Sequence, residues 1–109
     1  MVGAWLVVRA VVADPADRAA FDEWYHHEHL PDAVKAFAVH TGWRGWSATD
    51  PSMHCAHYGF ESRERLDTIM AGPAIIGLIA EFDRRWGSRV TRTRDILVVA
   101  DEIGDQKFS

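Results

Sequence analysis

The spacing of apolar and polar residues divides the chain into strands and helices. Residues 4–12, AWLVVRAVV, are rich in β-branched and apolar side chains and run into Asp14-Pro15, which reads as a buried strand meeting a helix start. Asp14 suits an N-cap and Pro15 the first helical position, so a helix is expected from about Pro15 to Leu30. Pro31 predicts a break there, with a short turn through DAVKAF. GWRGWSA (42–48) and MHCAHYGF (53–60) read as two strands joined through the turn residues TDPS. Ser62 is a candidate cap for SRERLDTIMAG, where Leu66, Ile69 and Met70 recur at helical spacing up to Gly72-Pro73. AIIGLIAEFDRRWG is a second helical piece, and VTRTRDILVVADEI (90–103) alternates before becoming continuously apolar, as a strand does.

The order β-α-β-β-α-β predicts an α+β protein with the ferredoxin-like split βαβ arrangement. Right-handed crossovers then give a four-stranded antiparallel sheet with helices on one face. Nothing remains in the chain to cover the other face, which predicts a homodimer packed sheet against sheet. Residues 1–109 read as one domain.

A net charge of −4 without a run of Lys or Arg argues against a nucleic-acid or anionic-membrane surface. The longest apolar stretch, AGPAIIGLIAEF, is interrupted and too short to cross a bilayer. MVGAWLVVRAVVADP has no basic leader, and Cys55 is the only cysteine, so a cytoplasmic protein is expected. Five tryptophans in so short a chain can floor a pocket as well as fill a core.

The densest chemistry lies in FDEWYHHEHLP, residues 21–31. At about 100° per residue from Phe21, a regular helix puts Trp24, Tyr25 and Glu28 on one face, with His29 at its margin. Asp22, Glu23, His26 and His27 point away. An inward Glu28 needs a partner, and burial would raise its pKa towards that of a general acid or base. The structural alternative has Glu28 bonded to a backbone N–H of the following turn. His29 titrates near neutrality and is a candidate for the same proton-transfer role. His26 and His29 are three residues apart, but on the exposed side and without a third ligand, so no metal or cofactor is expected.

In the third strand His54, Tyr58 and Phe60 share one face, and Cys55 and His57 the other. Cys55 reads as inert core. Trp43 and Trp46 fall on opposite faces of the second strand, one towards the core and one towards the dimer interface. Arg44 shares a face with Trp46 and suits an interface ion pair. His40 lies in the preceding loop.

The segment WYHHEHLP resembles the helix-end pattern W-Y-x-x-E-H-x-P of EthD-like proteins in the dimeric α+β barrel superfamily, and HTGWRGW and HYGFES are similar to its second and third strands. The resemblance implies a ferredoxin-like subunit, a sheet-to-sheet dimer and a small hydrophobic or cyclic ligand between sheet and helices. It carries the family's Glu and His onto Glu28 and His29 as catalytic candidates. Trp24, Tyr25, Tyr58 and His57 are candidate substrate-binding residues. The expected activity is metal-free acid–base chemistry of isomerase, cyclase or lyase type on an apolar cyclic substrate. The alternatives are a cofactor-free monooxygenase, a haem-binding protein and a non-catalytic dimeric binding protein.

Overall fold

The computed structural model describes residues 1–104. Four strands, β1 (Ala4–Val12), β2 (Thr41–Trp46), β3 (Met53–Phe60) and β4 (Val90–Val98), form one sheet in the order β2-β3-β1-β4. All neighbours are antiparallel, as the split βαβ arrangement requires. The register sets the rows that face the helices. Leu6 lies opposite Tyr58 and Ile96, Val8 opposite Ala56 and Arg94, and Ala10 opposite His54 and Arg92. β4 stops at Val98, short of the expected 103, because its partner β1 begins at the paired Ala4.

One run of helix crosses that face. Asp14 accepts a hydrogen bond from the Ala16 N–H (3.0 Å) and opens a 3₁₀ turn, Pro15–Asp17. Helix α1 (Arg18–Trp24) follows, then a π-helical turn (Tyr25–His29), then α2 (Leu30–Phe37). The expected break at Pro31 does not occur. Proline clashes with the carbonyl four residues back in a regular α-helix. Here the preceding turn is widened, with the Leu30 N–H bonded to the Tyr25 carbonyl, and Pro31 occupies the first turn of α2. Next to this run Gly42 is needed for close approach, since a Cβ there would lie 2.7 Å from a Val34 methyl.

Ser62 caps α3 (Arg63–Met70) by accepting from the Arg65 N–H, and α4 (Pro73–Trp86) begins at the expected proline. Among the described residues no helix is long and apolar enough to cross a membrane.

The core is aromatic. Phe21 packs against Trp24, Tyr25, Trp46, His54, Phe82 and Trp86 with ring centroids 5.1–6.1 Å apart. Such pairs each add about 0.5–1.5 kcal/mol beyond area burial. Beside this cluster Asp22 ties α1 to β2. Its Oδ1 accepts from Arg44 Nη1 (2.8 Å) and Trp46 Nε1 (2.8 Å), and its carbonyl accepts from Arg44 Nη2 (3.2 Å). The partner of Arg44 is therefore inside the chain, where an interface pair had been expected. The sequence could not show this, because the residues are 22 positions apart.

The opposite sheet face carries Trp5, Val7, Arg9 and Val11 with Met53, Cys55 and His57. Cys55 is half-buried there instead of in the core, and Trp43 lies flat on His57 at 4.0 Å. Trp43 and Trp46 do face opposite ways, as read from their spacing.

The Asp22 anchor makes a stability prediction. Asp22→Ala leaves the mostly buried Arg44 and the Trp46 N–H without their acceptor, and should cost about 2 kcal/mol or more in denaturant unfolding. Arg63→Ala, which breaks an exposed pair with Asp67, should cost under about 1 kcal/mol. Equal losses would remove the anchor role.

Candidate functional site

Between the sheet and the helices lies a crevice lined by Leu6, Val8 and Tyr58 from the sheet, Tyr25 and His29 from the π turn, and Ala33 and Phe37 from α2. Ile75, Leu78, Ile79 and Phe82 of α4 close another side, and Arg92 and Arg94 of β4 complete it. Its unoccupied space is about 360 Å³ including solvent at the mouth, of which about 30 Å³ admits the centres of water molecules.

The π turn decides which polar group faces this space. Adding a residue to the turn slows the angular advance, so the inward direction after Tyr25 falls on His29 and Glu28 rotates out. His29 is 8% exposed, whereas Glu28 is exposed. The inward placement expected for Glu28 is corrected accordingly, and Glu28 does not line the crevice. His26 and His27 are on the surface as anticipated, with His27 Nε2 3.1 Å from Glu23.

Aromatic contacts hold His29. Its ring stacks on Trp24 at 4.6 Å and meets Tyr25 and Phe82 edge to face at 4.9 and 5.7 Å. Burial, with Arg92 nearby, lowers the His29 pKa to about 4, because both disfavour the imidazolium. The ring is therefore neutral at neutral pH, with a free lone pair on one nitrogen.

Next to it the Tyr25 and Tyr58 hydroxyls are 3.2 Å apart. Burial raises the Tyr25 pKa well above the ordinary phenol value and pushes Tyr58 up to about 12. Both are neutral phenols. One bond between them uses one proton, leaving a second O–H able to donate.

His54 lies behind, 4.5 Å from the Tyr25 ring, and burial with Arg44 lowers its pKa to about 4. Arg44 Nη1 donates to His54 Nε2 (3.3 Å), which assigns the ring proton to Nδ1. That buried Nδ1 has no partner among the described residues. His54 belongs to the core and does not line the crevice.

Of the residues singled out in the sequence, the structure brings His29, Tyr25 and Tyr58 together at the crevice, with Trp24 supporting His29 from behind. His57 is on the far face of the sheet under Trp43, and its placement in the pocket is corrected: β3 alternation takes it away from Tyr58. His40 is exposed beside a second hollow, of about 320 Å³ for water centres, near Val2, Glu61 and Arg65. Among the described residues no group of three or more His, Cys, Asp or Glu is placed to hold a metal ion. Arg92 and Arg94 were missed. Their signal was there: in VTRTRDILV they fall in step with Val90 and Ile96, the inward positions.

No family model and no curated protein matches the sequence. Solved structures do match. A single-residue variant of SnoaB, a cofactor-independent oxygenase from Streptomyces nogalater, superposes with a TM-score of 0.70 at 8% identity, covering 96% of this chain and 100% of that one. An EthD family protein from Bacillus halodurans gives 0.61 at 18% identity over 84% and 96% of the two chains. A dimeric ferredoxin-like protein from an uncultured marine organism gives 0.61 at 13% identity over 94% and 100%. Likeness at these identities is a likeness of fold: the chain has a ferredoxin-like fold similar to that of these proteins.

Proposed function

We propose that the crevice binds a small, mostly apolar cyclic molecule and that His29 acts on it as a metal-free general base. The observation that carries this reading is a neutral, buried imidazole lining an apolar crevice. In the proposed step the His29 lone pair takes a proton from carbon next to a carbonyl. The C–H electron pair becomes a carbon–carbon double bond and the carbonyl π pair moves onto oxygen, giving an enolate that the spare Tyr25/Tyr58 proton hydrogen-bonds. The imidazolium then returns the proton at another carbon, which is an isomerisation. Cyclisation and elimination share the first half of this sequence. With a pKa near 4 the imidazole is a weak base, which favours activated protons. The negative charge developing on the substrate strengthens it as transfer proceeds. Glu28 has no part in this scheme.

A second reading is cofactor-free oxygenation, favoured by the fold shared with a cofactor-independent oxygenase. The same base would deprotonate a phenol, giving an electron-rich ring that reacts with oxygen. Among the described residues no tryptophan lines the crevice to stack on such a ring, since Trp24 lies behind His29. Oxygen consumption with a phenolic substrate distinguishes the two.

The dimer also belongs here. Two copies joined through the outer sheet faces would cover Trp43 and Leu97, which are 50% and 46% exposed. That arrangement is supported by the likeness to a dimeric ferredoxin-like protein.

Two measurements test these readings. A β,γ-unsaturated cyclohexenone serves as a one-ring probe, its conversion to the conjugated enone followed by ultraviolet absorbance. His29→Ala should lower the rate by about 100-fold or more, while Glu28→Gln should stay within about twofold. The wild-type rate should hold from neutral pH downwards and fall as pH drops through about 4, where His29 takes up its proton. A rate unaffected by His29→Ala would exclude the base role. Light scattering at micromolar concentration should give twice the monomer mass, and a monomer would exclude the sheet-to-sheet pair.

A further inference from the structure

The charge on the crevice wall is one-sided. Among the described residues no Asp or Glu lines it. His29 and the two tyrosines are neutral, so among the described lining residues the formal charge comes from Arg92 and Arg94, in a chain whose net charge is −4. These two are successive inward residues of β4, opposite Ala10 and Val8 of β1.

Arg92 is fixed in place. Its side chain is 14% exposed, its Nη2 donates to Asp83 Oδ1 (3.0 Å), and its Cζ sits 4.1 Å over the Phe82 ring. Asp83 is itself on the surface, outside the crevice lining. Arg94 is exposed at the mouth and close enough to Arg92 for their charges to repel. One surface carboxylate bonded to Arg92 leaves further guanidinium donors of the pair free. With Asp83 paired to Arg92, the two guanidiniums still leave a net positive charge at the concavity, which attracts an anion and raises its local concentration. A planar guanidinium fork fits a carboxylate in particular.

We propose that Arg92 and Arg94 form a carboxylate-recognition site at the mouth of the crevice, so that the ligand is a small apolar ring acid. Its ring lies among Leu78, Ile79 and Phe82, and its carboxylate lies on the two guanidiniums. This rests on the crevice being the binding site, as in the proposed function. It adds the substrate class and names two specificity-determining residues.

The test uses para-ethylbenzoate and its neutral counterpart para-ethylbenzyl alcohol. Dissociation constants are read from the NMR shifts of the His29 ring protons and of the backbone amides around the crevice. The acid should bind about tenfold more tightly than the alcohol at low salt. Arg94→Gln should remove most of that preference, leave alcohol binding unchanged and reduce the salt dependence of the acid. Arg92→Gln should act likewise. If that variant fails to fold, Arg94→Gln and Arg94→Glu decide alone, because Arg94 is exposed. Arg63→Gln, on the surface of α3, should retain the full preference.

Equal affinities for acid and alcohol, with no effect of Arg94→Gln, would overturn carboxylate recognition while leaving the crevice as a ligand site. Absence of shifts with both probes would overturn the crevice reading and this inference with it.

Discussion

The widened turn at Tyr25–His29 sets the identity of the group that faces the crevice. In a regular helix Glu28 would share the face of Phe21, Trp24 and Tyr25, with His29 at its margin, and the site would hold a carboxylate. Pro31 disfavours that regular helix by steric conflict with the carbonyl four residues back. The π turn lets the chain keep one helical direction from Arg18 to Phe37 through the proline. The same turn puts His29 inside and Glu28 in water. The helix's tolerance of proline and the chemistry of the site are thus one constraint.

The aromatic core and the Asp22 anchor hold that turn in place. Phe21 and Trp24 precede it, and their contacts with Trp86 and Phe82 fix α1 against α4. Asp22 holds α1 to the edge strand β2 through Arg44 and Trp46, whose hydrogen bonds also keep the Asp22 carboxyl below the ordinary carboxylate pKa. The stack of Trp24 on His29 then orients an imidazole that burial keeps neutral. Packing energy is in this way converted into a chosen protonation state.

Much of the fold could be read from periodicity. The strands, their order, the caps at Asp14 and Ser62 and the alternation along β3 depend on local spacing, which a sequence displays directly. Pro31 was misread because its usual meaning, a helix end, has an alternative that depends on one extra residue in the turn before it. Glu28 followed from the same misreading, since a phase shift moves every later side chain. Arg44 and Asp22 are far apart in sequence, and their pairing depends on α1 crossing β2. Arg92 and Arg94 were visible as charges in inward strand positions, but they gain meaning only when β4 borders the crevice. Tyr25, Tyr58 and His29 line one crevice, whereas His57, read from alternation onto the face away from Tyr58, lies there under Trp43 and so cannot share that crevice.

The account stands most directly on the protonation state of His29. An NMR titration of the imidazole ring protons, assigned with His29→Gln, measures it without a substrate. A ring that stays neutral as pH falls until about 4 agrees with a buried base at the crevice wall. A ring that titrates near the unperturbed value of about 6.5 would show a solvated side chain and contradict the site described for this protein.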